Sequence, residues 1–211
     1  MENVSVRKIK NCRLCHSKNL KNLFNLKSTP PANSFIKKSD LNEKLKIFKL
    51  SLNLCKNCGH MQLGHLVDRR KIFSNYLYKT NTGKQNLIHF EKYAKKIKKY
   101  YLKKNKKYKI LDIASNDGTF LSFLNKKKFL RIGIDPAKNL KKLVERKGIK
   151  QIASFFTEKN SIKILRKYGK FDIITANHVC AHLENLYDFF YGVEKLLTRD
   201  GIFIFVVGYM V

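Results

Sequence analysis

Arginine is scarce in this chain: of 45 basic residues only eight are Arg, which leaves 37 Lys. A protein that reads nucleic acid would draw on more guanidinium, whose planar fork makes bidentate and stacking contacts. Acidic residues are few as well, 15 among 211, so the formal net charge is +30. The lysines are spread over polar helix faces and turns. The charge is therefore read first as a composition bias and second as an attraction for phosphorylated ligands, and it does not choose a partner. Long apolar runs are missing too. No stretch approaches 18 apolar residues, so no membrane span is expected. The first eight residues lack the apolar core of a secretory signal, and five cysteines in such a chain point to reduced thiols or metal ligands in a cytoplasmic setting.

What is present divides into two parts. Residues 1–80 hold short apolar runs with Pro30-Pro31 and little helical period. From Gln85 the pattern changes: Leu87, Phe90, Ala94, Ile97 and Tyr101 recur at steps of three and four, which predicts one amphipathic helix. The division is placed near Thr82-Gly83, giving domains 1–82 and 83–211. Beyond residue 107, strands are expected at 109–113, 130–134, 151–153, 171–176 and 202–207. Helices are expected between them at 118–124, around 140–144, at 162–168 and at 186–197. Five strands alternating with helices imply right-handed βαβ units and a parallel sheet that binds ligands at the carboxyl ends of its strands.

Cys12-Arg-Leu-Cys15 and Cys55-Lys-Asn-Cys58 are two Cys-x-x-Cys pairs 39 residues apart. A two-residue spacer lets one turn give two thiolates to one ion, so Cys12, Cys15, Cys55 and Cys58 are expected to hold a structural Zn²⁺ with no open position. Gly59 sits where a tight turn needs positive φ. A redox dithiol would more often be single and at a helix start, a pattern absent here. Cys180 stands apart and reads as a small buried residue.

Residues 110–119 run Ile-Leu-Asp-Ile-Ala-Ser-Asn-Asp-Gly-Thr, a strand turning into a helix. Small residues at Ala114, Ser115 and Gly118 allow a ligand to approach the backbone, and a helix start supplies free N–H groups. The full Gly-x-Gly-x-x-Gly of dinucleotide folds is lacking. In Gly133-Ile134-Asp135-Pro136 a carboxylate stands at a strand end, 23 residues after Asp112, able to accept both ribose hydroxyls. NAD and S-adenosylmethionine (SAM) folds share that device, and Asp135 as a simple turn cap before proline is the other reading.

Taken in order, these pieces resemble the nucleotide-sugar C-methyltransferase family, in which a zinc-binding domain precedes a Rossmann-like class I methyltransferase domain and a further C-terminal domain follows. The similarity spans Cys12-x-x-Cys15, Pro31-Ala32-Asn33, Cys55-x-x-Cys58-Gly59 with Gln62-Leu63, and Tyr76-Leu77-Tyr78. It continues through residues 115–119, 133–137, Phe155-Phe156, Asn177 to His182 and Asp200-Gly201. The resemblance implies SAM and Zn²⁺ as cofactors and methyl transfer through an enolate, at a sugar carbon beside a keto group, on a nucleoside-diphosphate sugar. Asn116, Asp117 and Gly118 would cradle the methionine part of SAM, Asp135 its ribose, and the Ser154-Phe155 region its adenine. Asn177 would face the transfer centre. His182 would act as base or position the substrate, with a helix-capping histidine as the plainer role. Tyr76 or Tyr78 matches the family's substrate-side tyrosine, with ordinary aromatic packing as its counterpart.

The chain departs from the family at Lys79-Thr80, where Phe-Ser is usual, at Val206, where Glu is usual, and at His178, where Asn is common. The family's Tyr-x-Glu-His-type cluster and last two strands would lie past Val211. The expectation is thus an incomplete five-stranded sheet, a C-terminally truncated chain of poor solubility, and a partner in a missing domain or separate chain. Two other classes fit less well. A zinc-containing RNA or DNA methyltransferase suits the charge, yet the loop after the fourth strand, Asn177-His178-Val179-Cys180, has no Pro. A non-catalytic module that binds SAM or a nucleotide is the third.

Overall fold

The structure, a computed structural model, describes residues 6–32, 35–36, 38–42, 47–103 and 106–208. Asn33 of the Pro31-Ala32-Asn33 match lies outside the described residues. The chain forms two compact units, residues 1–77 and 78–211. The sequence expectation placed its division five residues later. The intervening segment, 78–82, hydrogen-bonds into the second unit through Asn116 and Asp117.

In the first unit, β2 (Leu20–Thr29), β3 (Phe48–Cys55) and β4 (Met61–Leu63) form an antiparallel meander, while β1 (Val6–Lys8) pairs with β5 (His65–Val67). A short helix, α1 (Arg69–Phe73), follows, capped by Asp68, whose carboxylate accepts from the Arg70 backbone N–H. Among the described residues, the buried apolar side chains of this unit are Ile9, Cys12 and Cys55. That is far too little apolar surface to offset the entropy of ordering about seventy residues. The first unit needs another source of stability.

The second unit is a three-layer α/β domain. It opens with α2 (Lys84–Tyr101) and continues β6 (Tyr108–Ile113), α3 (Thr119–Ser122), β7 (Phe129–Ile134), α4 (Lys141–Arg146), β8 (Lys150–Ile152), α5 (Glu158–Tyr168), β9 (Phe171–Asn177), α6 (Leu186–Leu196) and β10 (Leu197–Val206). The strands are all parallel, in the order β10-β9-β6-β7-β8. Alternation along the strands builds two cores. Leu111, Ile113, Ile132, Ile134 and Ile174 pack on α5 and α6 through Ile164, Phe189 and Val193. Ile110 and Ile173 pack on the other face against α2, α3 and α4 through Ala94, Ile97, Phe120, Leu121 and Val144. Each of the five expected strands forms. The helix expected at 118–124 is shorter, because Phe123 and Leu124 tighten into three-residue turns on the Phe120 and Leu121 carbonyls. In turn α5 starts earlier than its apolar period suggests, since Thr157 caps it by accepting from Asn160 N–H. No helix among the described residues is long and apolar enough to cross a membrane.

One buried cation organises this fold. Arg131 of β7 is 7% exposed and donates from Nη1 to the Leu121 and Leu124 carbonyls and from Nη2 to those of Lys147 and Gly148. It thus closes the carboxyl ends of α3 and α4, where orphan carbonyls and the helix dipoles favour positive charge. Arg131→Met should destabilise the second unit by roughly 3 kcal/mol, because two buried carbonyls and two partly buried ones lose their donor. Denaturant unfolding of the two proteins would check this, with Arg131→Lys recovering only part of the loss.

Candidate metal centre and active site

The four cysteines expected to bind zinc do converge. Their sulfur atoms all lie within 4.8 Å of one another, with Cys12 and Cys58 at 3.7 Å and Cys15 and Cys55 at 3.5 Å. Four thiolates at tetrahedral zinc distances are about 3.8 Å apart, so the cluster fits the ion. Each Cys-x-x-Cys turn is followed by a residue in the left-handed region, His16 at φ 59° and Gly59 at φ 74°. Backbone N–H groups of Leu14 and Cys15 donate to Cys12 Sγ, and Asn57 Nδ2 donates to Cys15 Sγ. Such donors support thiolate charge. The Ser17 backbone brings the Cys15 thiol down to about 6. Cys58 is pushed up to about 12: a backbone hydrogen bond at His60 lowers it, but desolvation and the three neighbouring thiols outweigh that. Four thiols this close cannot all ionise unaided; a divalent cation removes the conflict. Zinc is this unit's cofactor.

Tyr76 lies in the first unit, its ring edge-on to Phe73 at 5.4 Å. Tyr78 belongs to the second, where Asn86 Nδ2 donates to its hydroxyl and Asn116 Nδ2 to its carbonyl.

In the second unit, the remaining expected residues stand at the carboxyl ends of β6, β7, β8 and β9. The loop after β6 is built from left-handed turns: Ala114 at φ 58°, Asn116 at φ 49° and Gly118 at φ 72°. At Gly118 a Cβ would also meet Val144 and Ile149 side-chain carbons at 3.0 Å, so any side chain is both crowded and strained there. The side chains of this loop are occupied. Asn116 Oδ1 accepts from Thr80 N–H and its hydroxyl, Asp117 Oδ2 from Asn81 N–H, and Asp117 Oδ1 from the Thr119 N–H and hydroxyl. Thr80 thus supplies a hydroxyl at the position where the resembling family has Ser. Asp135 accepts from Ala137 N–H at 2.8 Å and from Asn116 N–H at 2.9 Å. It caps its own turn and also ties the β6 loop to β7. Burial raises its pKa, against the opposing pull of these two N–H groups.

Phe155, half-buried after β8, accepts from Asn160 Nδ2 at its carbonyl. Asn177 ends β9. His178, exposed at φ 55°, donates its N–H to Val206 carbonyl, a left-handed position that Asn or His tolerates better than most residues. His182 is exposed on the single turn Cys180–His182 that precedes α6. Cys180 is half-buried.

Four polar residues escaped the sequence reading. Asp112, 3% exposed, accepts from the Thr175 hydroxyl at 2.7 Å. Burial pushes its pKa up to about 7; the Thr175 and Asn177 hydrogen bonds oppose this, while the Asp135 charge adds to it. Tyr93 of α2 lies within the field of Asp112, and its phenol is raised chiefly by burial. Tyr93 Oη, Gln151 Nε2 and Asn177 Oδ1 are the buried side-chain atoms of the described second unit that lack a hydrogen-bond partner. Unpartnered buried polar atoms call for an explanation, with a bound water, ion or ligand among the candidates. The signal for Asp112 was in the sequence, as a lone carboxylate inside an otherwise apolar strand.

Over residues 12–73 the chain matches the family described as "Putative zinc binding domain", and over residues 86–207 the family described as "Methyltransferase domain". It is similar to C-methyltransferase NovU of Streptomyces niveus, 25% identical over 207 residues, which are 98% of this chain and 49% of that protein. The chain thus spans about half the length of the curated relative it matches. Among solved structures it is similar to the CurJ carbon methyltransferase, at 18% identity and TM-score 0.48 over 61% of this chain and 36% of that one. It is also similar to the plantazolicin methyltransferase BpumL, solved with a desmethylPZN analog and SAH, at 17% identity and TM-score 0.45 over 60% and 49% of the two chains.

Proposed function

Because the chain belongs to the methyltransferase domain family, with a zinc-binding domain ahead of it, we propose that it binds SAM at the carboxyl edge of the β6–β9 sheet. There it takes part in methyl transfer to a carbon beside the keto group of a nucleoside-diphosphate deoxysugar. SAM supplies, when bound, an electrophilic methyl group on a sulfonium. The observation that carries the reading is the pair of buried, mutually interacting carboxyl groups of Asp112 and Asp135, with Asn177 and Tyr93 near Asp112 and a left-handed loop following it.

In this assignment the backbone of Ala114 to Gly118 holds the methionine part of SAM. The Asn116 and Asp117 side chains act through the loop, since their oxygens already bind Thr80, Asn81 and Thr119. Asp135 has lone pairs left for ribose hydroxyls, Phe155 borders the adenine, and Asn177 faces the reacting carbon. Asp112 offers a carboxylate to a positively charged ligand. The sugar substrate is supported by the motif order quoted above and by similarity to a C-methyltransferase. His182, exposed on the turn after β9, is assigned the role of base toward the carbon that receives the methyl group, or of positioning the substrate.

The test is transfer from methyl-labelled SAM by the zinc-loaded chain. With a 4-keto-6-deoxy sugar nucleotide, NMR should show label on the carbon next to the keto group. His182→Asn should slow the transfer by about a hundredfold or more, without weakening SAM binding. Label on RNA supplied as a competitor, with none on the sugar, would reject the substrate assignment.

A further inference from the structure

A second concave site lies wholly within the first unit, and none of the four cysteines lines it. It is a cleft of about 820 Å³ bordered by residues of β1, β2, β3 and β5 and by Gly64. Lys8, Lys10, Lys18 and Lys49 line it, and no lining residue is acidic. Its polar wall is rich in donors. Asn22 Nδ2 donates to the side-chain oxygens of Asn25 and Asn53, at 3.3 Å and 3.0 Å. The amide nitrogens of Asn25 and Asn53 therefore remain as donors among the lining groups.

Two further features separate this cleft from a chance cluster of surface lysines. The His65 Nδ1 atom is buried at its border and has no hydrogen-bond partner. A buried polar atom without a partner calls for an explanation, and a bound water or ion is one. Gly64 also shapes the wall: a Cβ there would fall 2.2 Å from Ser51 Oγ, so glycine leaves room for that hydroxyl.

We propose that this cleft binds the diphosphate group of a phosphorylated small molecule. Lysine suits phosphate as a compact point charge, and amide and imidazole groups add directed hydrogen bonds. The volume is in the range of small-molecule sites, and the cleft is concave rather than an extended basic stripe, which favours a compact anion over a nucleic-acid strand. The shared chemistry has two sources, free pyrophosphate and a nucleoside diphosphate. This inference concerns the first unit alone and does not rest on the methyl-transfer reading.

Calorimetry on the zinc-loaded full chain, at physiological salt, tests it with pyrophosphate and dTDP as probes. Saturable binding of at least one probe is expected. Lys8→Glu with Lys49→Glu should weaken it by roughly tenfold or more, since like charge then faces the ligand. The control, Lys126→Glu with Lys127→Glu, changes net charge equally on exposed residues of the second unit and should leave the affinity within about twofold. His65→Ala should also weaken binding while leaving zinc content unchanged. Equal affinities for the two probes identify the diphosphate alone as the recognised group. A tenfold preference for dTDP adds the nucleoside to it. Equal losses in both charge variants would overturn the proposal, because bulk charge would then explain the binding. So would the absence of saturable binding by either probe, or a cleft-dependent loss confined to an RNA oligomer.

Discussion

Replacing Cys55 by Ser should unfold the first unit and leave the second folded. Ile9 and two of the thiols are its buried apolar groups among the described residues, so the bulk of its stability cannot come from apolar burial. Structural zinc in a comparable four-ligand setting contributes about 10 kcal/mol or more of folding free energy, and deletion of one ligand forfeits most of it. The expected results are one zinc per wild-type chain, none in Cys55→Ser, and collapse of the dispersed NMR signals from residues 6–77. Signals from the β6–β10 sheet should persist. A chelator should do to the wild type what the substitution does. An unchanged spectrum and melting profile for Cys55→Ser would show that the meander stands without metal.

Asp112 should make the second unit less stable as pH rises. Burial favours the neutral form of its carboxyl, with a folded pKa of about 7 against a reference value of 3.8. The folded state therefore binds this proton more tightly than the unfolded chain. The contribution is fully present below about pH 4 and is lost as pH climbs through 7, by about 4 kcal/mol in total. Asp112→Asn removes the titration while keeping an acceptor for the Thr175 hydroxyl. From pH 5 to 8.5 the stability difference between mutant and wild type should move by about 3 kcal/mol in favour of the mutant. Denaturant unfolding with zinc in excess measures it, because metal effects cancel in the difference. A ligand carrying positive charge reverses the advantage. SAM should bind the wild type more tightly at pH 8 than at pH 6, and the Asn variant should lose that slope. A difference that stays flat with pH would mean that Asp112 is already ionised in the fold.

The parts legible in the sequence are those whose signal is local. Apolar runs such as Ile110-Leu111 and Ile173-Ile174 marked central parallel strands because they are buried on both faces. The cysteine spacing reported its chemistry directly, and Gly59 announced its left-handed turn. The strands of the first unit were invisible for a physical reason. All of β2 except Leu20 and Ser28 is exposed, and its pairing with β3 shifts register twice, which erases any alternation. Asp112 was overlooked because its importance depends on Thr175, 63 residues away on a neighbouring strand. The same holds for Tyr93, which looks like one more aromatic on α2 until the sheet brings Asp112 near it. Asn116 and Asp117 were legible as loop residues. Their bonds to Thr80 and Asn81 were not, since nothing local links residues 36 apart.

The central claim is that the carboxyl edge of the second unit is a SAM site, and calorimetry on the zinc-loaded chain tests it most directly. One SAM should bind per chain, with SAH competing for the same site. Gly118→Val should abolish binding, since a side chain there strikes Val144 and Ile149 and forces a left-handed φ on a β-branched residue. Saturable binding of NAD with none of SAM or SAH, or full SAM affinity in Gly118→Val, would contradict it.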